Sequence, residues 1–163
     1  MRGFFLIVLT LALAACGFHL RGATALPFHS LYLDAGKSQQ LGGELVSALR
    51  FGSDVRLVSR AEEAEAVLQL VDETREKRIL SLSAGGRVRE YLLFYRVSFR
   101  VLDAKGGELL PSQQIELKRD FSYNDAQVLA KEQEEALLYR DMQNDAVQQI
   151  LRRLSVAKSR PAP

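Results

Sequence analysis

Cysteine occurs once in these 163 residues, histidine twice and tryptophan not at all. A single thiol makes no intramolecular disulfide and no cysteine-rich zinc site, and two histidines leave little material for metal chemistry. Neither sign of charge dominates. The 22 basic and 20 acidic residues give a net +2, without the clustered excess of a bulk nucleic-acid binder, so no nucleic acid is expected as a partner. Long apolar runs are confined to residues 4–15, broken only by Thr10. Twelve residues at about 1.5 Å rise cover roughly 18 Å, too short for a hydrocarbon core of roughly 30 Å. Charged residues at 26% exclude a polytopic membrane protein, and 47% hydrophobic content excludes a disordered chain. The length suits one ordinary domain.

The chain opens with Arg2, the apolar run, and then Leu13-Ala14-Ala15-Cys16. A short positive start and a brief apolar segment make residues 1–15 a signal peptide. Small residues directly before the only cysteine resemble a bacterial lipobox, which implies that Cys16 becomes a lipidated mature N-terminus. Each buried methylene contributes about 0.8 kcal/mol, so several acyl chains hold a soluble domain stably at a membrane. Gly17 stands where lipoproteins held at the inner membrane usually carry Asp, which favours the outer membrane. The covalent lipid on Cys16 is the only non-protein group expected, with no cofactor and no metal.

Residues 16–28 lack periodicity and read as a tether. Leu31-Tyr32-Leu33 marks a first strand, ending at Asp34-Ala35-Gly36. Ser38 is placed to cap a helix reaching about Arg50, in which Leu41, Leu45, Val46 and Leu49 share one side. Val55, Leu57 and Val58 read as a second short strand, joined to the first by a crossover. Three long strands follow, over 67–82, 87–103 and 108–121, turned by Gly85-Gly86 and Lys105-Gly106-Gly107. In the middle one Tyr91, Leu93, Tyr95, Val97, Phe99 and Val101 occupy one face, while Arg96, Ser98 and Arg100 occupy the other. Pro111 cannot donate to a ladder and marks an edge or a bulge. A last helix spans about 125–154, with Leu129, Ala136, Tyr139, Met142, Ala146 and Ile150 as its apolar stripe. The order predicts an α+β two-layer sandwich over 29–155, with two helices on one face of a mixed sheet and a frayed, disordered tail at 156–163.

Catalytic chemistry finds little support. No Gly-x-Ser-x-Gly turn occurs, the glycine pairs lack the strand–loop–helix setting of a phosphate loop, and His19 lies in the tether and His29 just before the first strand. A hydrolase using either histidine is the weakest reading, and no enzyme is expected. Basic residues beside the sheet turns are more telling: Arg87 and Arg89 follow Gly85-Gly86, and Lys131 lies early in the last helix. Arginine suits bidentate phosphate binding and lysine point-charge binding, and on a tethered protein the natural phosphorylated ligand is a lipid head group.

Two segments carry a family resemblance. Cys16-Gly17-Phe18-His19-Leu20-Arg21-Gly22 after the lipobox is similar to the start of mature LptE-family lipoproteins (also called RlpB). Leu129-Ala130-Lys131-Glu132, running on through Tyr139-Arg140-Asp141-Met142 to Leu154, resembles that family's C-terminal helix. Arg89-Glu90-Tyr91 and Phe121-Ser122-Tyr123-Asn124 also follow its pattern. The resemblance implies a two-helix sandwich on a mostly antiparallel four-stranded sheet, the second short strand merging into a loop. It implies two partners, the large β-barrel LptD, which such a lipoprotein plugs and helps assemble, and lipopolysaccharide, which the pair inserts into the outer leaflet. It further implies lipopolysaccharide binding by Lys131. At the strand turn Ala84 replaces the expected basic residue, and Arg87 and Arg89 are the proposed replacements. A generic adaptor lipoprotein, serving a cell-wall synthase or a lipid transporter, is the rival from the same compartment.

Overall fold

Alternating side chains in the long strands and 3.6-residue spacing in the helices produce the layers the patterning calls for. The computed structural model describes residues 25–157. Strand β1 (Ser30–Asp34) leads into helix α1 (Gln39–Gly52) and strand β2 (Arg56–Leu57). A 3-10 turn precedes the long strands β3 (Ala66–Leu82), β4 (Val88–Asp103) and β5 (Glu108–Ser122), and helix α2 (Val128–Leu154) closes the fold. The sheet order is β2-β1-β3-β4-β5, with β1 parallel to both neighbours and β3, β4 and β5 antiparallel. The lipobox, Cys16 and most of the expected tether and tail lie outside the described residues. Among those described, no helix is long and apolar enough to cross a membrane.

The sheet has five strands, not four. The fifth is the two-residue β2, which stays a strand because the chain returning from α1 is fixed on both sides. Val55 is buried, the Arg56 amide donates to the His29 carbonyl at 2.9 Å, and the Val58 amide donates to the Leu31 carbonyl at 3.0 Å. The packed unit is also slightly larger than 29–155, since Phe28 and Ala157 are both buried against the core. Ser38 occupies the N-cap position of α1, yet its side chain makes no capping bond, and its carbonyl instead accepts from the Gly42 amide. Gly42 lets α1 approach the preceding turn closely, because a Cβ there would lie 2.6 Å from the Ala35 Cβ.

Leu93, Tyr95, Val97, Phe99 and Val101 of β4 are buried beneath Leu41, Leu45 and Leu49 of α1 and Met142, Ala146 and Ile150 of α2. Pro111 fits both readings of its position. It lies on the edge strand β5, within a register shift where two residues oppose Arg100. The apolar stripe of α2 is shorter than its sequence suggests, since Leu129 is 77% exposed and Ala136 is also exposed. Helix length explains this. The 27 residues of α2 extend about 40 Å, whereas the 14 of α1 extend about 21 Å, so the first turns of α2 run beyond the start of α1.

A bulge in β3 governs which side chains meet the helices. Leu70 pairs with Phe99 and Asp72 with Ser98, leaving Val71 outside the register. Before the bulge Ala66, Leu68 and Leu70 face the core. After it the faces exchange, and Glu73, Arg75 and Lys77 share the helix side with Val97, Tyr95 and Leu93. These charges are placed on the side of α2, where Glu73 is 15%, Lys77 37% and Arg75 40% exposed.

Phe99→Ala is expected to destabilise the fold by about 3–5 kcal/mol in urea denaturation, as a truncated core aromatic. Leu129→Ala is expected to stay within about 0.5 kcal/mol of wild type, as an exposed surface change. Comparable losses in the two variants would contradict the packing described.

Candidate functional site

The end of the sheet farthest from β1 collects the residues singled out in the sequence. The β3–β4 turn is closed by the Ser83 amide donating to the Arg87 carbonyl at 2.7 Å and by Gly86 at a φ of 78°, which favours glycine. Arg87 and Arg89 are exposed, and among the described residues neither guanidinium has a hydrogen bond or ion pair. The Arg89 carbonyl accepts from the Tyr123 amide at 2.7 Å, which ties this strand entry to the chain leading into α2. Exposed Ile79, Leu80 and Leu82 lie on the β3 side of the turn, and exposed Val128 and Leu129 begin α2. This end is therefore both basic and apolar.

Lys131 reaches the same end but is differently occupied. Its ammonium lies 5.5 Å from the Phe121 ring centroid and donates to Ser122 Oγ at 3.1 Å and to Glu134 Oε2 at 2.8 Å. Its side chain is only 14% exposed. Phe121 belongs to an aromatic cluster with Tyr91 and Tyr123 at centroid separations of 5.3 to 6.5 Å. Lys77 stands over Tyr91 at 4.8 Å and pairs with Glu135 at 2.7 Å. The sequence reading placed Lys131 first. Of these three cations, Arg87 and Arg89 have no side-chain partner among the described residues, whereas Lys131 must release Glu134 to take another anion.

Below this end, on the helix side, Arg75 is held between the rings of Tyr95 and Tyr139, 5.6 Å from each centroid. It donates to Gln143 Oε1 at 2.7 Å, and Gln143 is fully buried. The Tyr95 hydroxyl donates to Glu73 at 2.8 Å, and burial, reinforced by that carboxylate, raises its pKa. The pKa of the Glu44 carboxyl of α1 is likewise raised, chiefly by desolvation.

The uncovered sheet face carries a ladder the sequence reading did not find. Phe94 is 6% exposed although it points away from the helices, because Arg78 and Arg96 each lie 4.8 Å from its ring centroid and Lys118 lies 5.3 Å away. Glu76 and Glu116 link these cations across three strands. The available signal was Phe94 itself, an aromatic out of phase with the odd-numbered core face. Among the described residues no group of three or more His, Cys, Asp or Glu is arranged to hold a metal. The His29 ring lies 3.3 Å from the Glu65 carboxylate and its amide donates to the same carboxylate at 2.7 Å, and among the described residues no nucleophilic side chain bonds to the ring.

These features describe a two-layer α+β sandwich with a basic, apolar tip. The family comparison agrees. The LptE family model, described as lipopolysaccharide-assembly, matches residues 28–154, and the chain belongs to that family. Membership places it among lipopolysaccharide-assembly lipoproteins and not among enzymes. The LPS-assembly lipoprotein LptE of Pectobacterium atrosepticum is 31% identical, covering 92% of this chain and 84% of the relative. That of Photorhabdus laumondii is 29% identical over 88% of this chain and 79% of the relative. Among solved structures, an uncharacterized lipoprotein B from Nitrosomonas europaea superposes with a TM-score of 0.75 at 49% identity, covering 85% of this chain and 90% of that one. The rare lipoprotein B of Shewanella oneidensis gives 0.66 at 32%, covering 76% and 91%.

The Phe94 ladder has a pH signature. Hydrogen bonds from Arg78 and then Arg96 lower the Glu76 pKa from 4.5 to about 2. A depressed carboxylate stabilises the fold fully above its unfolded pKa, and this contribution is lost as pH falls from about 4.5 toward 2. Carboxyl-carbon NMR titration should place the Glu76 midpoint near 2, and Arg78→Ala should raise it toward 4.5. A wild-type midpoint already at 4.5 would dissolve the ladder.

Proposed function

We propose that the protein is an outer-membrane lipoprotein, anchored through Cys16, which plugs and helps assemble the LptD β-barrel. In this reading the pair forms the translocon that inserts lipopolysaccharide into the outer leaflet, and the tip of the sandwich binds lipopolysaccharide directly. The observation that carries the binding is the pair of guanidinium groups, Arg87 and Arg89, unpartnered among the described residues, at the end of the sheet that also exposes Ile79, Leu82 and Leu129. Phosphates of lipid A meet the arginines, and its acyl region meets the apolar side chains. Lys131 joins when an incoming phosphate displaces Glu134.

Geometry supports a separation of anchor and tip. β1 pairs with the first residues of β3, so the tether enters at the opposite end from the turn. The 17 residues of β3 at about 3.3 Å each place the two ends about 55 Å apart, more than the full thickness of a bilayer. A domain anchored in the periplasmic leaflet can therefore carry its basic tip far from that leaflet. The five-stranded face with its ion-pair ladder offers a polar surface to a barrel lumen.

Two measurements test this. Affinity capture of the full-length tagged lipoprotein from detergent-solubilised envelopes should bring down a large β-barrel in stoichiometric amount; a synthase or transporter subunit instead would establish the adaptor reading. Arg87→Glu with Arg89→Glu should weaken lipopolysaccharide binding at least about tenfold and keep the fold, since neither side chain has a partner to lose. Lys131→Glu should weaken binding as well, with some loss of stability from the vacated Phe121 face. Undiminished affinity in the double variant at low and moderate salt would remove the tip from the binding role.

A further inference from the structure

We infer that the groove between β3 and α2 is a second binding site, specific for an acidic sugar, that is, a sugar unit bearing phosphate or carboxylate. The groove has a volume of about 620 Å³ and is also lined by Gln40 of α1. That volume lies within the roughly 300–1,000 Å³ of small-ligand sites. This inference rests on the tip reading above for its place in recognition, though not for its chemistry.

The lining decides the class of ligand. Arg75 supplies a guanidinium 5.6 Å from the ring centroids of both Tyr95 and Tyr139, with one nitrogen already committed to Gln143 and 3.7 Å from Glu73. Its side chain is still 40% exposed, so other N–H groups remain for a ligand. Arg140, Gln40 and Glu132 are exposed, and among the described residues their side chains make no hydrogen bond or ion pair. Arginine, amide and free carboxylate together match a molecule with hydroxyl groups and an acidic substituent. The hydroxyls donate to Glu132 and accept from the Gln40 amide, and the acidic group meets Arg75 and Arg140. A bare phosphate or an anionic bilayer surface fits worse, because Glu132 and Glu135 would repel it. An apolar ligand would strand the charges lining the groove.

Continuity with the tip supplies the second reason. Lys77 lines the groove and stacks on Tyr91, and Tyr91 packs on Phe121, which carries Lys131. Cations on aromatic faces therefore run from the groove toward the tip. An amphiphile whose phosphates engage the tip can extend its saccharide along this track.

The full-length lipoprotein in detergent would be titrated calorimetrically with two probes: the acyl-free core oligosaccharide released from lipopolysaccharide, which keeps its acidic groups, and lipid A, which lacks the core. The oligosaccharide is expected to bind wild type, to lose about tenfold in affinity in Arg140→Glu, and to weaken in Gln40→Ala. Lipid A affinity should be unchanged in both variants. Repeating the titration with dephosphorylated oligosaccharide separates phosphate from carboxylate as the acidic group. No oligosaccharide binding, or equal binding by wild type and Arg140→Glu, while lipid A still binds, overturns the groove and leaves the tip. Lipid A failing to bind wild type while the oligosaccharide binds through Arg140 overturns the tip and leaves the groove. Failure of both probes overturns both.

Discussion

The unpaired residue Val71 sets the character of half the molecule. Without the register slip between Leu70 and Asp72, the face of β3 that buries Ala66, Leu68 and Leu70 would continue through Asp72, Thr74 and Glu76. The slip exchanges faces and sends Glu73, Arg75 and Lys77 under α2. Charge there is accommodated by aromatic rings and opposite charges. Tyr95 donates to Glu73, Tyr95 and Tyr139 flank Arg75, and Glu135 pairs with Lys77. The same slip puts Glu76 and Arg78 on the uncovered face, where they meet Phe94, Arg96 and Glu116.

Two halves with different physics result. Near β1 the sheet, α1 and the C-terminal part of α2 enclose a conventional apolar core, with Leu31, Leu45, Phe99 and Ile150 all inaccessible to solvent. Away from β1 the second helix is missing because α1 is half as long as α2, and one helix cannot cover three long strands. Polar networks and stacked cations fill the gap. Exposed apolar side chains collect around the turn, as on a surface that meets a partner. The division between an apolar scaffold end and a basic end with exposed apolar side chains thus follows from one helix length and one bulge.

Most of the scaffold was legible in the sequence because its signals are local. Alternation from Tyr91 to Val101 identifies β4, the glycine pairs identify both turns, and Leu41, Leu45 and Leu49 identify the buried side of α1. Family resemblance displaced one correct local reading: Val55, Leu57 and Val58 look like a strand and are held as one around Arg56 and Leu57. The bulge was not legible, since the charged run from Asp72 to Arg78 reads equally well as a solvated face. Leu129 and Ala136 continue the stripe of α2 perfectly in sequence, yet what lies opposite them depends on where another helix ends. The basic residues were found, but their relative freedom was not, because sequence spacing does not reveal that Glu134 and Phe121 already occupy Lys131.

That distinction among cations bears on how the surface works. Lys131, Lys77 and Arg75 each rest on an aromatic ring and each has an internal polar partner, so they contribute to the fold as well as to its potential. Removing one changes packing and charge together, through an apolar stem as well as a charged head. Arg87 and Arg89 contribute charge alone. In the lipopolysaccharide-binding reading proposed above, a polyanionic ligand first meets the Arg87 and Arg89 guanidinium groups, which have no internal bond to break among the described residues, and reaches Lys131 by exchanging with Glu134. Such an exchange trades one ion pair for another, so the added affinity is small beside the selectivity. Only an anion able to engage the free arginines and replace a carboxylate at the same time gains from the complete set, which favours a ligand with several acidic groups at fixed spacing over isolated ions.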